Sequence, residues 1–153
     1  MYIGIVLGLL AGLGLFLYGM NLMGNGLQKA AGDRLKKIIE LLTSNRFIAV
    51  LVGIFVTGVI QSSSATTVMV VGFVNAGIMQ LNQAIGVIMG ANVGTTVTAQ
   101  LVSFDLEAIA PVAVGIGVII HMVTKSEKLK SYAEILIGFG ILFVGMTYMK
   151  DAM

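Results

Sequence analysis

Ile3–Gly24 contains no charged residue. As a helix it is long enough to cross the roughly 30 Å hydrocarbon core of a bilayer. Such a segment fixes the solvent before anything else is known. The rest of the chain agrees: 153 residues, 58% hydrophobic, 10% charged, mean hydropathy +1.01. A soluble domain is about one quarter charged, so this chain lacks the polar groups to cover itself in water. Twenty glycines stand against one proline, and Gly4, Gly8 and Gly12 form a smooth stripe on which another helix can pack. No basic residue precedes the run in MYIG, so it reads as a retained span rather than a leader.

Residues 25–45 change character. Leu27, Ala31, Leu35, Ile38 and Leu42 share one helical face, with Lys29, Arg34, Lys36 and Lys37 away from its centre. An interfacial amphipathic helix is expected, with Asp33 capping its second part. Residues 46–79 hold two apolar arms, Phe47–Ile60 and Thr66–Met79, around a polar knot, Gln61-Ser62-Ser63-Ser64. Each arm is roughly 21 Å long as a helix, short for a full crossing. A re-entrant hairpin is therefore expected, its tip enclosed near mid-membrane. Residues 84–103 read as a span broken near Asn92–Gly94. Asp105 and Glu107 form an acidic turn. Residues 106–124 are another span, with Pro111 in its first turns. Lys125, Lys128 and Lys130 form a basic loop, and Tyr132–Met149 is the last span.

Keeping Lys and Arg cytoplasmic puts the basic stretches 25–46 and 125–130 inside together. The acidic turn and both termini then lie outside. The first and last spans also resemble each other: Gly12, Gly14, Gly19, Met20 and Met23 match Gly138, Gly140, Gly145, Met146 and Met149. Running in opposite directions, they suggest an inverted repeat, although glycine-rich membrane helices also look alike by chance.

Gln61, Ser62, Ser63, Ser64, Thr66 and Thr67 are neutral and rich in oxygen. Such groups at a helix break suit Na⁺, while the N–H groups opening the following helix suit an anion. With no Lys or Arg in the knot, coupled cations would have to supply the positive charge. The alternative is that these hydroxyls only bond back to helix carbonyls or glue helices together. Asn92, Thr95 and Thr96, in the NVGTTVT stretch, are open to the same two readings. His121 and Asn75 read as interhelical hydrogen-bonders, and the ten methionines, Met20, Met23, Met69 and Met89 among them, as packing or lipid-facing residues. With no cysteine there is neither disulfide nor thiolate metal site. Two short basic stretches make no nucleic-acid footprint. No nucleophile–base pair, metal cluster or nucleotide loop indicates an enzyme.

QSSSATT at Gln61–Thr67, followed by GANVGTTVT at Gly90–Thr98, resembles the sodium-dependent phosphate cotransporter family. The stretch Tyr18–Lys37 is similar to the start of its bacterial members. The resemblance implies an all-α integral membrane protein that is half of an inverted-repeat transporter fold. That half comprises four transmembrane helices, a re-entrant helical hairpin and an interfacial amphipathic helix. Residues 1–124 would form the first repeat (span 3–24, interfacial helix 25–45, hairpin 46–79, broken span 84–103, span 106–124), and 131–153 the first helix of an incomplete second. It implies substrate and ion binding at Gln61, Ser62, Ser63, Ser64, Thr66, Thr67, Asn92, Thr95 and Thr96. Na⁺, the coupling ion, would lie at Gln61, Ser62, Ser63, Ser64 and Thr95; no other cofactor is implied. The expected location is the plasma membrane, a bacterial inner membrane. The family carries two QSSS hairpins and this chain one. A homodimer or a separate second-half chain is therefore expected as partner, or else a subunit that does not transport alone.

Overall fold

The computed structural model describes residues 2–104 and 106–153, without the side chains of Thr98, Leu101 and Val102. Asp105, half of the expected acidic turn, lies outside the described residues. These residues form seven helices and no strand: α1 Tyr2–Leu42, α2 Arg46–Ile60, α3 Ser63–Asn75, α4 Leu81–Gly94, α5 Thr96–Val102, α6 Ala110–Val123 and α7 Glu127–Ala152. They fall into two compact units. One gathers the chain up to Ala30 and from Phe104 onward; the other is Ala31–Ser103.

The expected boundary between a first span and an interfacial helix is absent. α1 is one helix of 41 residues. Asn25, expected to mark the junction, donates to Asn21 Oδ1 at 2.9 Å, one turn back along the same helix. Asp33 accordingly stands in mid-helix and caps nothing. The amphipathic pattern is real but is answered by protein: Leu35 and Ile39 are buried with Ala49, Val52, Val56 and Val87, while Leu42 is exposed.

Among the described residues, α1 and α7 are the two helices long and apolar enough to cross a membrane. α7 begins earlier than expected, so Lys128 and Lys130 lie in its first turn rather than in a loop. α6 is shorter than the expected span, 14 residues with Pro111 in its first turn. Large apolar side chains stay exposed along α1, among them Ile3, Leu7, Leu10 and Leu17, as a lipid-facing helix requires.

In the first unit α1 and α7 run antiparallel and almost touch. A Cβ on Gly12 would lie 2.7 Å from the Gly145 carbonyl, and one on Gly145 would lie 2.6 Å from the Gly12 carbonyl. Gly19 and Gly138 repeat the arrangement at 2.6 and 2.7 Å. These are the glycines that match between the two helices in sequence, and each meets the counterpart of the other, as a local two-fold axis demands. Gly117 against Ala133 and Gly140 against Ala110 seat α6 on α7 in the same way. Lys29 pairs with Glu134 at 3.1 Å near one end of this unit, and Lys150 pairs with Glu107 at the other.

In the second unit α2 and α4 run parallel. Gly86, Gly90 and Gly94 of α4 press on the α2 backbone near Arg46, Val50 and Ile54, while Gly53 of α2 presses on Val87. α3 turns back beside them and packs on both. Because α2 and α4 point the same way, the α2–α3 turn and the α4–α5 break fall at one end of the unit.

Gly138→Ala should destabilise the protein by about 1–3 kcal/mol, since the neighbouring Met23 backbone cannot yield cheaply. Gly14→Ala, whose added methyl meets nothing within 4 Å, should be neutral or slightly stabilising. Unfolding midpoints in detergent micelles measure both.

Candidate functional site

α2 ends because Gln61 adopts the left-handed conformation, φ 61° and ψ 21°. It is the only non-glycine residue with positive φ among the described residues. Its N–H still donates to the Thr57 carbonyl at 2.7 Å, and its side-chain amide donates to the Gly58 carbonyl. Left-handed backbone costs an L-residue about 1–2 kcal/mol, and strain of this kind gathers at functional sites.

Ser62 is extended and caps α3: its Oγ accepts from Ala65 N at 3.2 Å. Its carbonyl accepts twice from Thr66, from the backbone N–H at 3.2 Å and from the hydroxyl at 3.1 Å. The non-helical knot is therefore shorter than expected, Gln61 and Ser62 alone. Ser63 and Ser64 form the first turn of α3, half-buried and exposed respectively. Their N–H groups have no carbonyl one turn earlier in their own helix to receive them, so the open donors of α3 begin three residues before Thr66, where the sequence suggested the helix would open.

The candidates separate into two groups. Gln61, Ser62, Ser63, Ser64 and the half-buried Thr67 remain at least partly accessible. Thr66 is fully buried and holds the turn from within, as the Ser62 carbonyl does. The sequence reading missed Thr57, also fully buried, whose hydroxyl donates to Thr66 Oγ1 at 3.0 Å. No local signal marked it, because its hydroxyl partner lies nine residues on, in the next helix.

The second polar stretch breaks at Thr95, one residue beyond the expected Asn92–Gly94. A Cβ on Gly94 would lie 2.8 Å from both the Ile54 carbonyl and the Thr57 Cβ, and one on Gly58 would lie 3.4 Å from Val97. The break thus stands beside the last turn of α2. Asn92, Thr95 and Thr96 are exposed there. The Thr95 hydroxyl donates to the Asn92 carbonyl at 2.6 Å and the Thr96 hydroxyl to the Val93 carbonyl at 2.7 Å. Their protons are spent on local backbone, which leaves lone pairs as what they can offer a cation. The Thr98 side chain lies outside the described residues. Asn75 is exposed at the far end of α3, and His121 belongs to α6 in the first unit.

No charged residue occurs from Phe47 to Phe104, so the turn and the break meet in a neutral environment. Hydroxyl and amide oxygens there can take up a hard cation, and the α3 N–H groups can face an anion. At the opposite end of the unit a cavity of about 860 Å³ opens between the starts of α2 and α4, lined by Asn45, Arg46, Gln80 and Gln83 over Val50, Ile85 and Met89. It shares no residue with the turn.

A family profile described as Na⁺/Pi-cotransporter matches residues 15–151. YjbB of Escherichia coli K12, provisionally named an inorganic phosphate export protein, is 30% identical over 147 residues, covering 96% of this chain and 27% of YjbB. YqeW of Bacillus subtilis, a protein without an assigned role, is 35% identical over 128 residues, 84% of this chain and 41% of YqeW. Sodium-dependent phosphate transport protein 2A of the mouse is 37% identical over 99 residues, 62% of this chain and 15% of the mouse protein. The chain thus spans between about a quarter and two fifths of the length of its bacterial relatives. No solved structure matches it.

Gln61→Gly should be more stable than Gln61→Ala by about 1 kcal/mol, because glycine alone takes positive φ without steric cost. Equal unfolding midpoints for the two variants would mean that position 61 is not left-handed in solution.

Proposed function

The chain belongs to the Na⁺/Pi-cotransporter family, and from that premise we propose that it forms the first repeat of a sodium-coupled phosphate transporter. Na⁺ and phosphate bind together at the Gln61–Ser64 turn. The oxygens of Gln61, Ser63 and Ser64, with Thr95 from the neighbouring break, take the cation. The N–H groups opening α3, helped by Ser63 and Thr67, face the anion. Each ion lowers the electrostatic cost of the other, which a site without Lys or Arg demands. Ser62 and Thr66 hold the frame.

The observation that carries this reading is the turn itself. A strained Gln61, two serines on open helix N–H groups and a second helix break all lie at one end of a unit with no charge from Phe47 to Phe104. The parallel course of α2 and α4 suits a hairpin that enters from the cytoplasmic side of the plasma membrane, with 25–46 and 125–130 inside. Lys29 with Glu134 at one end of α7, and Glu107 with Lys150 at the other, suits the same topology. The reciprocal contacts of Gly12 with Gly145 and of Gly19 with Gly138 support reading α7 as the first helix of a second, inverted repeat. α1 and α7 would then cross the membrane fully, and the shorter helices would complete the bundle. Members of this family are transporters rather than enzymes.

A second reading is favoured by the coverage of 27% and 41% of the bacterial relatives: these 153 residues supply half a cavity. Transport then needs a second half, from the same polypeptide, a separate chain or a second copy.

Uptake of labelled phosphate into proteoliposomes, with and without an inward Na⁺ gradient, tests both readings. Gln61→Ala and Ser63→Ala should each lower Na⁺-stimulated uptake by about tenfold or more, the cost of losing a hydrogen bond to a charged ligand. Full uptake in both variants would remove the turn from consideration. No uptake by this chain alone, restored by a co-expressed second half, would establish the second reading.

A further inference from the structure

Thr57 belongs to neither polar stretch, yet both meet on it. Its side chain is fully buried. Its hydroxyl donates to Thr66 Oγ1 at 3.0 Å, and the Thr66 hydroxyl donates to the Ser62 carbonyl at 3.1 Å. Its own carbonyl receives the last backbone bond of α2, from Gln61 N–H at 2.7 Å. On its other side stands Gly94, the last residue of α4, where an added Cβ would come within 2.8 Å of the Thr57 Cβ. One side chain therefore reaches α3 through a hydrogen bond and α4 through packing.

A hydroxyl here is chemically specific. Valine would fill the same volume with no polar group to satisfy, whereas a buried hydroxyl is costly unless bonded. What the hydroxyl adds is direction. By donating to Thr66 it occupies an acceptor position on that oxygen, and the Thr66 proton goes to the Ser62 carbonyl. The chain of donors runs one way and ends on the residue that caps α3.

We propose that Thr57 is a positioning residue, which sets the geometry of the Gln61–Ser64 turn through Thr66 and links that turn to the α4–α5 break through Gly94. This rests on the reading of the turn as the Na⁺ and phosphate site. Removing the hydroxyl loosens the turn without touching any group that meets the ions. The ions then bind more weakly while the maximal rate changes less.

The test compares Thr57→Val with Thr57→Ser in proteoliposomes. Thr57→Val should raise the Na⁺ concentration for half-maximal phosphate uptake by about three- to tenfold, the worth of one internal hydrogen bond, with a smaller change in maximal rate. Thr57→Ser, which keeps the hydroxyl, should stay close to wild type. A second readout needs no transport. The chain has no cysteine, so Ser64→Cys supplies a single thiol whose maleimide labelling reports the turn, and adding Thr57→Val should speed that labelling several-fold. Should Thr57→Val fail to insert, Gly94→Ala, which crowds the Thr57 Cβ and the Ile54 carbonyl with every hydroxyl in place, should produce the same shifts. An unchanged Na⁺ dependence together with an unchanged labelling rate overturns the proposal. So does a Thr57→Ser protein as impaired as Thr57→Val, which would reduce the residue to space-filling. If wild type shows no Na⁺-stimulated uptake either alone or with a co-expressed second half, the reading of the site fails by itself, and the labelling rates alone decide the role of Thr57.

Discussion

Where α2 gives way to α3, backbone groups leave the helical ladder inside a segment with no charge for the whole stretch from Phe47 to Phe104. Most of them find a partner within the protein, because an unpaired polar group in an apolar setting costs several kcal/mol. The structure meets that demand with four residues. Gln61 turns left-handed and keeps its N–H on the Thr57 carbonyl; Ser62 caps α3; Thr66 closes on the Ser62 carbonyl; Thr57 supports Thr66. With those groups satisfied, the half-buried Ser63 and the exposed Ser64 stand on the open end of a helix, where their own N–H groups have no helical partner. The candidate site is what remains after the break has been stabilised.

Close helix packing is what brings the second polar stretch to that place. In lipid there is no hydrophobic drive for helices to associate, so backbone approach and van der Waals contact do the work. Gly86, Gly90 and Gly94 let α4 lie on α2 near Arg46, Val50 and Ile54. The two helices stay in register along their length, and the break at Thr95 arrives beside the last turn of α2. In the other unit the same device joins α1 to α7, where Gly12, Gly19, Gly138 and Gly145 are at once the matched residues and the contact residues. The sequence match and the packing are therefore two views of one interface, since a two-fold contact requires like residues at exchanged positions.

Much of the site was legible as composition. Gln61 to Ser64 stand out because neutral oxygen-bearing side chains between two short apolar arms have few other uses. Hydroxyl direction was not legible. Nothing in the string distinguishes Ser62, whose hydroxyl caps α3, and the buried Thr66 from Ser63 and Ser64, whose hydroxyls do not hold the backbone. The difference follows from the α3 start at Ser63, three residues before the apolar arm begins. Thr57 escaped notice because a lone threonine in an apolar arm carries no pattern, and only the return of α3 gives it a partner. Elements were read well where a run of hydropathy bounded them, as at Ile60. They were read poorly where continuity depended on packing: Asn25 resembles a boundary, but Leu35 and Ile39 are buried in the Ala31–Ser103 unit and α1 runs on through it.

By itself the sequence determined the solvent, the helical class, the position of the polar turn and the glycine stripes, all of which depend on neighbours within a few residues along the chain. Tertiary structure alone decided that α2 and α4 run parallel, that both breaks share one end of their unit, and that Thr57 lies buried between them. Those outcomes depend on residues some forty positions apart, such as Ile54 and Gly94, coming within contact distance. Local hydropathy holds no information about which glycine stripe meets which backbone; shape complementarity between whole helices does.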